Sequence, residues 1–349
     1  LHCGRWREAL TLLLQAVEAF DACEAAPHQR LEARTWLADA YLGVDLLEEA
    51  AQAYAEVMAS AREHQLPVEE AWATLQWAQV QRRQGRPAEA RPAVERARVL
   101  YEDTGNVPCV ALCDLLEARL LAAQQAWAPA VEQAARAEAS LRDANVPPWW
   151  MEARIAHAQA AAAIEPAAEG AARWAGIVAD AEALSLVPLQ RAALAGGGQA
   201  LAATGQTARA RAVLTQALER SEEAGALAQD DELASGLLAD AASAHALVTL
   251  GLQSGQSVQV WQDIERGSAR ALRWSLRAGP AGGAEAGEPG HRLHALRDRW
   301  RRALGEGEAA RAPEVAREIQ TLEREILEAQ RALRLSAVPR SSAQPTDLA

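Results

Sequence analysis

No lysine occurs anywhere in the chain, so its 35 basic residues are all arginines. That absence removes the P-loop lysine and any lysine Schiff base, and with them Walker-type nucleotide hydrolysis and pyridoxal chemistry within this chain. Phenylalanine appears once, at Phe20, tyrosine three times, and Val and Ile are sparse beside Ala. β-Propensity is therefore weak and helix propensity strong almost throughout, so an all-α fold is expected. Four cysteines, Cys3, Cys23, Cys109 and Cys113, are too few and too scattered for a disulfide framework in 349 residues and read as reduced thiols of a cytoplasmic protein. No apolar run approaches the roughly 20 residues of a membrane span, because Gln159 and Glu165 interrupt even the stretch around Ala160 to Ala163. No signal peptide is visible, and the chain opens at Leu1 rather than at methionine, so it is expected to be a piece of a longer protein.

At 50% hydrophobic and 23% charged residues, the composition is that of one large or two ordinary globular domains. The net charge of −12 is unevenly spread: residues 1–260 hold 34 acids against 20 arginines, residues 261–349 hold 13 against 15. A body that acidic repels phosphate backbones, so no nucleic-acid partner is expected.

Turn positions recur at Gly4, Asp45, Gly85, Gln125, Glu165, Gly205 and Gly255, in steps of 40 or 41 until a last step of 50. Five residues after each turn stands a small or short apolar side chain: Ala9, Ala50, Ala90, Ala130, Gly170, Ala210 and finally Val260. Seven residues before it stands another: Ala38, Ala78, Ala118, Ala158 and Gly198. Small residues at those points let the two helices of a hairpin approach where their axes cross. Pro27, Pro67, Pro108, Pro147 and Pro188 mark the other connection, since proline at a first helical position wastes no N–H and has a preset φ. One period is thus proline, first helix, short turn, second helix, loop. A single such hairpin cannot bury its apolar face, whereas a stack can. Residues 1–25 supply only a turn and a second helix, so the chain is expected to start in mid-repeat, with about six full hairpins following.

Leu37, Ala38, Tyr41, Ala50 and Tyr54 around the Asp45 turn resemble the tetratricopeptide repeat, with Gln81 and Ala161 at the Tyr place of later units. The resemblance implies a right-handed superhelix whose first helices line a concave groove for a protein or peptide partner. Residues just after the small pre-turn position then face the groove: Asp39, Gln79, Arg119, Gln159 and Gln199, one polar side chain per period. They read either as solvated helix positions or as a ladder suited to a peptide backbone or polar tail.

Other features point to packing. Gly196, Gly197 and Gly198 lie inside a first helix with no strand before them, which favours close helix packing or a local weak point over a phosphate loop. Cys109 and Cys113 stand one helical turn apart without a second ligand pair and read as core thiols. His157 and His245, on mostly apolar helices, read as satisfied core histidines, and Trp149 and Trp150 as packing between repeats. No nucleophile, base and orienting group can be assembled, so no enzyme activity, metal or cofactor is expected of this chain.

Residues 278–290 have linker composition. Leu293, Leu296, Trp300 and Leu304, then Val315, Ile319, Leu322, Ile326, Ala329 and Leu333, form two apolar stripes expected to make a helical hairpin or short coiled coil over 291–336. Residues 337–349 read as an unstructured tail. The solenoid itself is expected over 1–277.

Leu237, Leu238, Ala239 and Asp240, Leu247 and Val248, Gly255, Trp261, and the run Glu265, Arg266, Ala269, Arg270, Ala271, Leu272 resemble the last repeat of tetratricopeptide proteins that carry a CHAT domain. Ala244 stands where that family commonly has Tyr, and Val260 where it has a small residue. The resemblance implies that the repeats lead through a charged helical hairpin into a caspase-like cysteine protease domain, a partner in cis, with Glu265, Arg266 and Arg270 as a relay at the junction. No segment resembles that domain's catalytic His or Cys motifs. The implied role is a non-catalytic regulatory scaffold, the sensor arm of such a protease. The alternative is the helical-repeat sensor arm of a signalling ATPase or transcription regulator.

Overall fold

The computed structural model describes residues 6–22, 26–43, 46–227, 233–255 and Asp263. Among them are twelve α-helices and no strand: α1 (Trp6–Ala22), α2 (Pro27–Gly43), α3 (Leu47–Glu63), α4 (Pro67–Arg83), α5 (Pro87–Asp103), α6 (Val107–Ala123), α7 (Trp127–Asp143), α8 (Pro147–Ala161), α9 (Ala167–Leu184), α10 (Val187–Ala203), α11 (Thr207–Leu227) and α12 (Leu233–Gln253). The all-α repeat architecture is the one expected. α1 is the leading second helix, α2 to α11 make five complete hairpins, and α12 is the first helix of a sixth.

The connections are more regular than the 40-residue turns suggest. A residue with positive φ stands at Gln65, Gly85, Gly105, Gln125, Asn145, Ser185 and Gly205, most of them 20 residues apart. The loop between hairpins and the loop within one are therefore mostly the same device. At Gly85 the helix ends with Gly85 N donating to Arg82 O (3.0 Å) and Arg86 N to Gln81 O (2.9 Å). That pairing closes the last carbonyls of α4 and needs a left-handed residue at its corner. Gln125 repeats it with Ala122 O and Leu121 O, at 2.9 and 3.0 Å. The residue after the corner is already the N-cap of the next helix, so two residues end one helix and begin another. Of the caps Leu66, Arg86, Asn106, Ala126, Val146 and Leu186, only Asn106 has a side chain that bonds its own helix's backbone, accepting from Cys109 N at 3.3 Å. Elsewhere proline does the work, at the first helical position in α4, α5 and α8 and the second in α6 and α10. Glu165 differs: the turn runs over Ala162–Pro166 without a left-handed residue, and α8 is two residues shorter than α6.

The small residues sit where helices cross. Ala38, Ala78, Ala118 and Ala158, and Ala50, Ala90, Ala130 and Ala210, are all buried. Each core cluster joins consecutive helices: Leu31, Tyr54, Val57 and Val80 across α2, α3 and α4; Leu75, Val94, Tyr101, Cys113 and Leu120 across α4, α5 and α6; Met151, Trp174, Ile177 and Ala193 across α8, α9 and α10. Each second helix is thus clamped between its own first helix and the next, and the core runs on without a break.

First helices also touch one another across the hairpins, α2 with α4, α4 with α6, α6 with α8, α8 with α10 and α10 with α12, whereas no pair of second helices packs as closely. The layer whose members approach more closely lies on the inside of a curve. The first helices form that inner layer.

Candidate functional site on the inner layer of first helices

Asp39, Gln79, Arg119, Gln159 and Gln199 are each the thirteenth residue of a first helix, in α2, α4, α6, α8 and α10. The fold brings all five to one register of the inner layer, the first three half-buried and the last two exposed. They are not equally available. Asp39 accepts a 2.5 Å hydrogen bond from the Tyr54 hydroxyl on α3 and another from the Trp72 indole on α4. Burial holds its carboxyl above the usual 3.8, and the two donors oppose that rise only in part. The Tyr54 hydroxyl is correspondingly pushed far up by burial and by Asp39. Asp39 therefore ties two hairpins together.

Arg119 makes the equivalent link two repeats on: its Nη2 donates to Glu152 Oε2 on α8 at 3.1 Å. In both links the thirteenth residue of one first helix meets the sixth of the next. Gln79 differs again, its Oε1 accepting from Arg82 Nε at 3.2 Å. Burial, with Arg119 and Arg83 nearby, holds the Arg82 guanidinium down to about 10. Gln159 and Gln199 make no side-chain hydrogen bond among the described residues and are exposed.

Two tryptophans complete this surface. Trp72 on α4 and Trp149 on α8 meet with ring centroids 6.3 Å apart and planes inclined at 32°, although one first helix stands between their own. Trp149 and Leu112 of α6 pack against Leu115 and Leu141 beneath. Sequence spacing offers no signal for a contact between residues so far apart.

The seam between first and second helices carries a different chemistry. Glu70 is 5% exposed and accepts from Arg62 Nη2 at 3.0 Å and Arg96 Nη2 at 3.1 Å, joining α3, α4 and α5. At the eighth position of a first helix, Arg34, Asp114 and Arg154 pair with the second helix before, through Asp21, Arg98 and Glu138. The charge order reverses while the place is kept, as a structural contact between repeats allows. A cleft of about 330 Å³ between α5, α6 and α7 is lined by such pairs, with Arg91 Nε 3.2 Å from Glu117 and Arg98 Nη1 2.8 Å from Asp114.

The histidines and thiols fall as follows. His157 Nδ1 lies 2.7 Å from Glu138 Oε2, while His245 is exposed rather than in the core. Cys109 and Cys113 are buried and free, and burial pushes the Cys113 thiol up to about 12. A thiol that far from ionising is no nucleophile. Gly196 and Gly198 are packing positions: a Cβ on Gly196 would overlap the Trp174 indole, and one on Gly198 would lie 2.5 Å from Leu214 Cγ. Among the described residues no helix is long and apolar enough to cross a membrane, and no group of three or more His, Cys, Asp or Glu forms a metal cluster. Glu265, Arg266 and Arg270, the linker, the 291–336 hairpin and the tail lie outside the described residues.

No protein-family model and no curated protein matches the chain. Solved structures do. A Rap protein in complex with competence and sporulation factor superposes with a TM-score of 0.57 at 11% identity, over 85% of this chain and 77% of that one. Aspartyl phosphate phosphatase F from Bacillus subtilis gives 0.53 at 9% identity, over 90% and 74%. A signal transduction ATPase with numerous domains and a tetratricopeptide repeat sensor, from Pyrococcus horikoshii, gives 0.56 at 12% identity, over 95% of this chain and 53% of that one. At such identities the likeness establishes the fold, a tetratricopeptide-like helical repeat, and nothing more.

Proposed function

We propose that the chain is a non-catalytic interaction and regulatory scaffold that holds a protein or peptide segment against the inner layer of first helices. One observation carries this: polar side chains of a single register, including the open Gln159 and Gln199, line a continuous layer beside a tryptophan pair. Such a surface offers amide donors and acceptors to an extended backbone and apolar area to its side chains. The Rap neighbour, solved with competence and sporulation factor, illustrates that a scaffold of this shape holds a ligand.

Within this reading the chain is the sensor arm of a cytoplasmic CHAT protease, and Glu265, Arg266 and Arg270 relay occupancy to a caspase-like domain in cis. Deleting residues 231–336 from the full-length protein should uncouple peptidase activity from the partner. Unchanged partner-dependent activity would sink the idea. The second reading, a sensor arm of a signalling ATPase, is favoured by the extent of the Pyrococcus horikoshii likeness, 95% of this chain. The flanking coding sequence separates them: a caspase-like domain downstream supports the first, an ATPase domain upstream the second.

A further inference from the structure

Several arginines among the described residues meet carboxylates: Arg62 and Arg96 share Glu70, Arg98 holds Asp114, and Arg119 holds Glu152. Acids outnumber arginines 34 to 20 over residues 1–260, so carboxylates are in surplus. Among the described residues Arg82 meets none. It is half-buried, the charges that act on it are Arg119 on α6 and its neighbour Arg83, and its one side-chain hydrogen bond among the described residues goes to the neutral Gln79 amide. Its terminal nitrogens are not among the buried atoms lacking partners, so they keep contact with solvent. A guanidinium desolvated, repelled by its neighbours and left with a free fork is organised for a carboxylate supplied from outside.

The second feature is the Trp72–Trp149 contact, which with Leu112 makes an apolar seat on the same layer. Ten residues of α4 separate Trp72 from Arg82, about 15 Å at the helical rise. An extended chain covers that in about four or five residues. Resting on the reading of the inner layer as a binding surface, we infer that this layer takes a peptide segment with two anchors: an acidic side chain on Arg82, backed by the Gln79 amide, and an aromatic or aliphatic side chain on Trp72 and Trp149. A carboxylate fits better than a phosphate, because Glu152 already occupies Arg119 and the surrounding body is strongly acidic.

The test is selection of a displayed library of random twelve-residue peptides on the whole 349-residue chain, in parallel with Arg82→Gln and Arg82→Glu. Wild-type clones are expected to carry Asp or Glu about four to six positions from Phe, Trp, Leu or Ile. They should lose at least about tenfold in affinity on Arg82→Gln, a hydrogen-bonded charge pair being worth more than about 1.4 kcal/mol. Arg82→Glu should select basic residues instead. Arg82→Gln, freed of repulsion from Arg119 and Arg83, should unfold at the same or a higher urea concentration than wild type. A clear loss of stability would make Arg82 structural and overturn the inference. So would clones without acidic enrichment, equal binding to Arg82→Gln, or tighter binding of a phosphoserine version of a selected peptide. Clones unaffected by Arg82→Gln but lost on Gln159→Arg would sink the receptor and leave the inner-layer reading standing. No clone above background would sink both.

Discussion

Glycine-to-alanine substitution should have opposite effects at three helical sites, for reasons visible in the packing. In a helix interior the exchange favours folding by about 0.5–1 kcal/mol, since alanine has less backbone freedom to lose. Gly170, the fourth residue of α9, has no atom within 4 Å of where a Cβ would stand. Its equivalents Ala50, Ala90, Ala130 and Ala210 already carry that methyl. Gly170→Ala should therefore stabilise by about the full 0.5–1 kcal/mol. At Gly198 the new Cβ would lie 2.5 Å from Leu214 Cγ, 2.7 Å from Leu214 Cδ2 and 3.4 Å from the Ala210 carbonyl oxygen. Leu214 is wholly buried and has nowhere to swing. At Gly196 the Cβ would overlap three atoms of the Trp174 ring, itself 3% exposed. Overpacking of this kind costs about 1–3 kcal/mol, which exceeds the propensity gain and leaves a net loss of about 1–2 kcal/mol. Urea unfolding followed by circular dichroism should rank the midpoints Gly170→Ala above wild type, and Gly198→Ala and Gly196→Ala below it. A Gly196→Ala midpoint at or above that of Gly170→Ala would refute the argument that this triad exists for helix contact.

Other perturbations follow from the same contacts. Glu70→Ala frees two arginines whose side chains are half or more exposed and can rehydrate, so it should cost about 1–2 kcal/mol, whereas Arg62→Ala with Arg96→Ala strands a carboxylate that is 6% exposed and should cost about 3 kcal/mol or more; urea titration of the two variants checks the order. Asp39 has a folded-state carboxyl raised above 3.8, so its ionisation weakens the fold as pH rises through that value, and the Tyr54 donor offsets this. Tyr54→Phe should then cost about 1.5–3 kcal/mol at pH 7 and distinctly less once Asp39 is protonated, which unfolding curves at pH 7 and pH 3.5 would compare. Gln125 holds a φ of 60° at its corner, and Gln125→Gly should raise stability by about 0.5–1 kcal/mol in the same assay, because glycine adopts that region without steric cost.

The repeat was legible because its signals are local. Proline at a helix start and alanine at a helix crossing act within one hairpin, so Pro67, Ala78 and Ala90 announce their places by residue type alone. The left-handed corners at Gln65 and Ser185 were not legible, since the bonds that close the helix impose that conformation on residues that do not favour it. The register of Asp39 to Gln199 followed from the period, but which members stay open did not. That depends on the residue six places into the following first helix, Trp72 for Asp39 and Glu152 for Arg119, and so on how hairpins stack. The Trp72–Trp149 contact and the Glu70 cluster are further removed still. They arise from superhelical curvature and from side chains of two second helices reaching one carboxylate on the first helix between them, neither of which leaves a periodic trace.

The account turns on the inner layer of first helices being the surface that holds a partner. Hydrogen–deuterium exchange of the whole chain, with and without a peptide selected on it, tests this most directly. Binding should slow exchange in α4, α6 and α8, while α5 and α7 on the second-helix layer exchange as before. Slowing confined to α5 and α7, with α4, α6 and α8 unchanged, would contradict it.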